Sequence, residues 1–127
     1  VLENKVNNMN LQENIKFLGF RTDVKELLNS SDCITLLSRR EGLGKCLLEG
    51  MVVGKPLIAT YTRGPKELIE NNKNGYLVDV GDYNKTAEYI ENIYLDEIKR
   101  KNFSKNSLDK INQYYLENVL REVEEYC

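Results

Sequence analysis

Histidine is absent from this chain of 127 residues. That omission excludes Ser-His-Asp and Cys-His triads, histidine acid–base catalysis and histidine-containing zinc sites. Cysteine is scarce: Cys33, Cys46 and Cys127 are odd in number and widely spaced, and no CxxC pair occurs. Cys33 falls in an apolar run and Cys46 on an apolar helix face, so both read as reduced small hydrophobes. A surplus of positive charge is also missing. With 18 Lys and Arg against 20 Asp and Glu, the net charge of −2 argues against a nucleic-acid partner. No acidic cluster has convincing metal spacing, and Asp79 and Asp82 in Asp-Val-Gly-Asp read as a solvated turn. No apolar run is long enough to span a bilayer and no signal peptide opens the sequence, so the expected location is cytoplasmic. What remains, 41% hydrophobic and 30% charged residues, describes one ordinary globular domain with a buried core.

Short apolar runs alternate with helical patterns. Strands are predicted at Ile15–Gly19, Cys33–Leu37, Leu57–Thr60 and Gly75–Val78. A helix is predicted from Thr22 through Val24, Leu27 and Leu28, and another from about Leu43 to Val53. A short helix carries Pro65 in its first turn. Tyr83, Ala87, Ile90 and Tyr94 fall on one helical stripe, and Ile111, Tyr115, Val119, Leu120 and Val123 suggest more helix towards the C-terminus. Such alternation predicts an α/β fold with a Rossmann-like parallel sheet and flanking helices. Residues 1–13 read as a helix end and a polar loop.

The most informative stretch is EGLGKCLLEGMVVGKP, Glu41 to Pro56. It places two carboxylates, Glu41 and Glu49, around a glycine-bearing helix start. Gly42 and Gly44 leave that turn uncovered by side chains, and a helix N-terminus with bare amides suits an anion such as a diphosphate. Glu49 reads either as a solvated helix glutamate or as an acceptor for vicinal hydroxyls. Its apolar neighbours Leu47, Leu48, Met51 and Val52 favour the second. Phosphate plus ribose is the outline of a nucleotide.

This stretch resembles the Glu-x7-Glu signature of the family-four retaining glycosyltransferases, which have the GT-B fold. The resemblance extends to NIKFLGF (Asn14 to Phe20), SDCITLLSRREGLG (Ser31 to Gly44) and KPLIATYTRGPKELIENNKNGYLV (Lys55 to Val78), four motifs in register over roughly residues 14 to 98. It implies that the chain is a partial C-terminal, donor-binding domain. The N-terminal acceptor domain is expected to be missing, together with the two strands that lie between Ile15–Gly19 and Cys33–Leu37 in the resembled fold. The first strand is accordingly expected to pair aberrantly, sit at an edge or leave a gap.

The same resemblance implies roles. Glu41 lies near the donor sugar as the catalytic-site carboxylate, although a helix-start carboxylate favoured by the dipole is the plain alternative. Glu49 accepts from the ribose hydroxyls. Gly42, Leu43, Gly44 and Lys45 offer backbone N–H groups to the distal phosphate, a tight turn being the alternative for the two glycines. Phe20 and Arg21 border the base, a solvated rim arginine being the alternative. Gly64 and Glu67 read equally as ligand contacts or a plain helix start. The implied reaction moves a glycosyl unit from a nucleotide diphosphate sugar to a carbohydrate or lipid-linked acceptor with retention, without a metal or other cofactor. A non-catalytic nucleotide-sugar binding module is the alternative. The resemblance further implies peripheral membrane association of the parent enzyme, and the unpaired strand edges imply self-association of the isolated chain.

Overall fold

The computed structural model describes residues 1–39 and 44–126, with the side chains of residues 119 and 122–126 excepted. Its elements in chain order are α1 (Leu2–Asn8), α2 (Val24–Asn29), β1 (Ile34–Leu36), α3 (Lys45–Val52), β2 (Leu57–Thr60), α4 (Pro65–Leu68), β3 (Gly75–Val78), α5 (Tyr83–Leu95) and α6 (Glu97–Tyr126). The sheet is parallel in the order β1-β2-β3, with Ile34 opposite Leu57 and Leu57 opposite Gly75. β2 lies in the middle and is buried at every position, as a strand covered by helices on both faces must be.

Alternation along β2 builds two cores. Leu57 and Ala59 join Ile34, Leu47, Met51, Leu68, Ile69 and Ile111 on one face, under α3, α4 and α6. Ile58 points the other way, to Tyr76, Ile93 and Phe103, with Cys33 and Tyr89 packed alongside. Burial raises the Cys33 thiol to about 11, helped by the neighbouring Asp32 carboxylate. Cys33 should therefore react more slowly with iodoacetamide at pH 8 in the folded protein than after unfolding in urea. Site-resolved mass spectrometry checks this, and equal rates would show that the thiol is not buried.

Segment 15–19 departs from expectation, because it is not a strand. Ile15 bonds back to the Leu11 carbonyl, and Ile15, Phe17 and Leu18 are substantially exposed. A strand exists only where a neighbour supplies N–H and C=O groups, and among the described residues no strand lies beside this segment.

α5 is also turned from its expected face. Thr86 and Ile93 are buried, with Tyr89 half-buried, whereas Tyr83, Ile90 and Tyr94 face solvent. Asp82 caps the helix by accepting from the Lys85 amide, and the Thr86 hydroxyl donates to the Asp82 carbonyl, so that buried hydroxyl is satisfied. Tyr89 stacks on Tyr76 at 4.0 Å between ring centroids, which sets the rotation of the helix. α6 begins earlier than the Ile111 stripe suggests. Phe103, Ser107 and Ile111 bury one side of it, and the Arg100 guanidinium closes the end of α5 on the Ile93 and Tyr94 carbonyls. Among the described residues no helix is long and apolar enough to cross a membrane.

Candidate functional site: the start of helix α3

Three features hold α3 in place. Leu47, Gly50 and Met51 form its buried face at i, i+3 and i+4 spacing. Gly50 lets the helix lie close on the sheet, since a Cβ there would meet Ile34 Cγ1 at 3.0 Å and Leu57 Cδ2 at 3.2 Å. Gly44 supplies the N-terminal residue at φ 72°, ψ 50°, a left-handed conformation that favours glycine. No side chain caps this end. The positive end of α3 and the Lys45 amide are therefore presented at the C-terminal edge of the sheet, where open α/β folds hold their ligands.

The opposite face of α3 borders a cavity of about 680 Å³. Lys45, Leu48, Glu49, Val52 and Val53 line one side, and Val24, Lys25 and Leu28 of α2 face them, with Tyr115 of α6 closing the cavity. A mostly apolar wall with a few convergent polar groups is the usual anatomy of a small-molecule site. Glu49 is half-buried there, and no donor reaches its carboxylate among the described residues. A half-buried carboxylate without a partner is poised to accept hydrogen bonds from a ligand.

Of the residues singled out from the sequence, Gly44, Lys45 and Glu49 come together here. Glu41, Gly42 and Leu43 lie outside the described residues. Phe20 and Arg21 do not line the cavity. Phe20 is 96% exposed, and the Arg21 fork is engaged with Asp23 at 2.8 and 2.6 Å, which holds the Asp23 carboxyl below its ordinary range. Gly64 and Glu67 belong to the α4 turn, with Gly64 preceding Pro65 as the N-terminal residue. The sequence reading missed Lys25 and the apolar wall of Val24 and Leu28, and it took Tyr115 only as packing. The helical spacing of Val24 and Leu28 was visible, but not that their face would be left open. Among the described residues no group of three or more Cys, Asp or Glu is placed to hold a metal ion.

A parallel sheet with an uncapped helix start and a free carboxylate beside an apolar cavity defines the nucleotide-binding class of α/β proteins. The chain belongs to the family of glycosyl transferases group 1, whose model matches residues 1–110. It is 33% identical over 120 residues to N-acetyl-alpha-D-glucosaminyl L-malate synthase of Bacillus anthracis, covering 94% of this chain and 32% of that protein. Over 78 residues it is 44% identical to the putative glycosyltransferase EpsD of Bacillus subtilis, covering 61% of this chain and 20% of that one. The crystal structure of Anabaena Alr3699/HepE in complex with UDP superposes with a TM-score of 0.88 at 27% identity, covering 99% of this chain and 36% of that one. The fold is thus the Rossmann-like sheet of GT-B glycosyltransferases, and the chain spans about a third or less of the length of these proteins.

Proposed function

We propose that this chain supplies the donor side of a retaining glycosyltransferase that moves a sugar from a nucleoside diphosphate to a hydroxyl of a carbohydrate or lipid-linked acceptor. The observation that carries this reading is Glu49, half-buried without a partner in an apolar cavity beside an uncapped helix start. Ribose hydroxyls donate to its carboxylate. The diphosphate lies at the α3 N-terminus, met by the backbone of Gly42, Leu43, Gly44 and Lys45. Glu41 faces the transferred sugar, while Phe20 and Arg21 border the base in the whole enzyme.

The C1–O bond to the diphosphate breaks as the acceptor oxygen bonds to C1 from the same face, and the acceptor proton passes to the departing phosphate. The protein's task is to stabilise charge on the leaving diphosphate. The α3 amides and Lys45 do this as fixed electrostatic partners, and no metal is needed. An N-terminal domain binds the acceptor, and two further strands complete the sheet between β1 and segment 15–19. The enzyme works in the cytoplasm, associating peripherally with the membrane when its acceptor is lipid-linked. Support comes from solved relatives that hold UDP with glucose, and from Staphylococcus aureus TarM with UDP and alpha-GlcNAc-glycerol. The names of the relatives are those of transferases, which gives the non-catalytic alternative no support.

Glu49→Ala should weaken binding of the nucleoside diphosphate by ~1.5–3 kcal/mol, the range for hydrogen bonds to a charged group. Calorimetric titration of the whole enzyme with UDP, GDP and ADP checks this. Unchanged affinity in a variant with an unaltered melting temperature would overturn the ribose role.

A further inference from the structure

The loop from β1 to α3 has a cavity at each end. Lys45, just beyond its far end, lines the Glu49 cavity. At its near end, Leu37 and Arg39 line a second cavity of about 220 Å³, shared with Thr60, Asp79, Val80, Gly81, Asp82, Tyr83 and Thr86. This second cavity lies across the C-terminal ends of all three strands, the edge at which ligands of open parallel sheets bind. It holds the volume of only about seven waters at ~30 Å³ each, which suits one sugar ring and not a nucleotide.

Several of its polar groups are already committed to the fold. The Thr60 hydroxyl donates to the Ser38 carbonyl, the Thr86 hydroxyl donates to the Asp82 carbonyl, and Asp82 Oδ1 accepts from the Lys85 amide. Three groups are not. Among the described residues, the Asp79 carboxylate, the Arg39 guanidinium and the Tyr83 hydroxyl have no hydrogen-bond or ionic partner. A carboxylate accepts from two neighbouring hydroxyls and a guanidinium donates to two, so the pair matches the vicinal diols of a sugar. Tyr83 adds a flat apolar ring, 79% exposed, for the C–H face of a pyranose.

We infer that this cavity is a saccharide subsite in which Asp79, Arg39 and Tyr83 hold one pyranose ring beside the donor nucleotide. The inference rests on the donor-site reading above. The ring belongs either to the transferred sugar or to the saccharide of the acceptor, and the two sources separate by experiment.

Saturation-transfer NMR on the whole enzyme would use methyl α-D-glucopyranoside, methyl N-acetyl-α-D-glucosaminide, UDP-glucose and UDP-N-acetylglucosamine as probes. Tyr83 is exposed, so Tyr83→Ala leaves the fold intact, as a thermal melt will verify. Loss of the methyl-glycoside ring signal in Tyr83→Ala assigns the cavity to the acceptor. Loss of the hexose signal of the UDP-sugars, with the uridine signal kept, assigns it to the transferred sugar. Tyr83→Phe keeps the flat ring and should keep both signals. Ring signals equal in wild type and Tyr83→Ala, or absent from every probe, would overturn the subsite. A missing uridine signal in the wild type would sink the donor reading alone, because the methyl glycosides still report on this cavity.

Discussion

Sugar transfer by the isolated 127 residues should be undetectable beside that of the whole enzyme. The chain spans 32% of one curated relative and 36% of a solved one, and an acceptor domain is proposed to occupy much of the remainder. A donor site without an acceptor site gives up the positioning of the two reactants, worth ~7–11 kcal/mol of barrier. At about 1.4 kcal/mol per factor of ten, that is a loss of roughly five to eight orders of magnitude. Glu49 and the α3 amides would still face the nucleotide, so weak donor binding should survive where turnover does not. Transfer from a radiolabelled UDP-sugar, assayed with the purified chain and with the whole enzyme under the same conditions, measures the difference. Comparable turnover by the chain alone would overturn its reading as the donor half of a two-part site.

Gly75→Ala should unfold the middle of the sheet. A Cβ built at Gly75 would stand 2.0 Å from the Leu57 carbonyl oxygen, 2.8 Å from its carbon and 3.1 Å from its Cα. These are backbone atoms of the strand paired with it, so no rotamer change relieves the contact. Relief requires β3 to move away from β2, whose Leu57, Ile58 and Ala59 fill both cores. Asn74 beside it is held as firmly. Its side-chain oxygen accepts from the Glu70 amide and its nitrogen donates to the Leu68 carbonyl, which leaves the turn little room to shift. The cost should exceed ~3 kcal/mol, the upper range for overpacked sites, against a total stability of ~5–15 kcal/mol. Urea denaturation followed by circular dichroism reads it. A loss under about 1 kcal/mol, the size of an ordinary substitution, would show that β2 and β3 do not approach as described.

Much of this arrangement was legible from residue order. The runs at 33–37, 57–60 and 75–78 became β1, β2 and β3 because continuous apolar residues satisfy a strand covered on both faces. Leu47 and Met51 at helical spacing fixed the buried face of α3, and that phase alone placed Glu49 on a face away from the core. Segment 15–19 carries the same apolar signal as the true strands, yet it stays unpaired and exposed. α5 shows the same limit. Its apolar stripe of Tyr83, Ile90 and Tyr94 lies in solvent, because the Tyr76–Tyr89 stack and the satisfied Thr86 hydroxyl set the rotation.

By itself the sequence determined the class of fold, the family and the helix that presents Glu49, because periodicity and motif spacing are local properties of the chain. Tertiary structure decided which faces remained open. Tyr115 closes the Glu49 cavity from a helix far along the chain, and Arg39, Asp79 and Tyr83 meet only because three parallel strands end side by side. Contacts between residues so far apart in sequence depend on packing and hydrogen-bond partners, which no local pattern encodes.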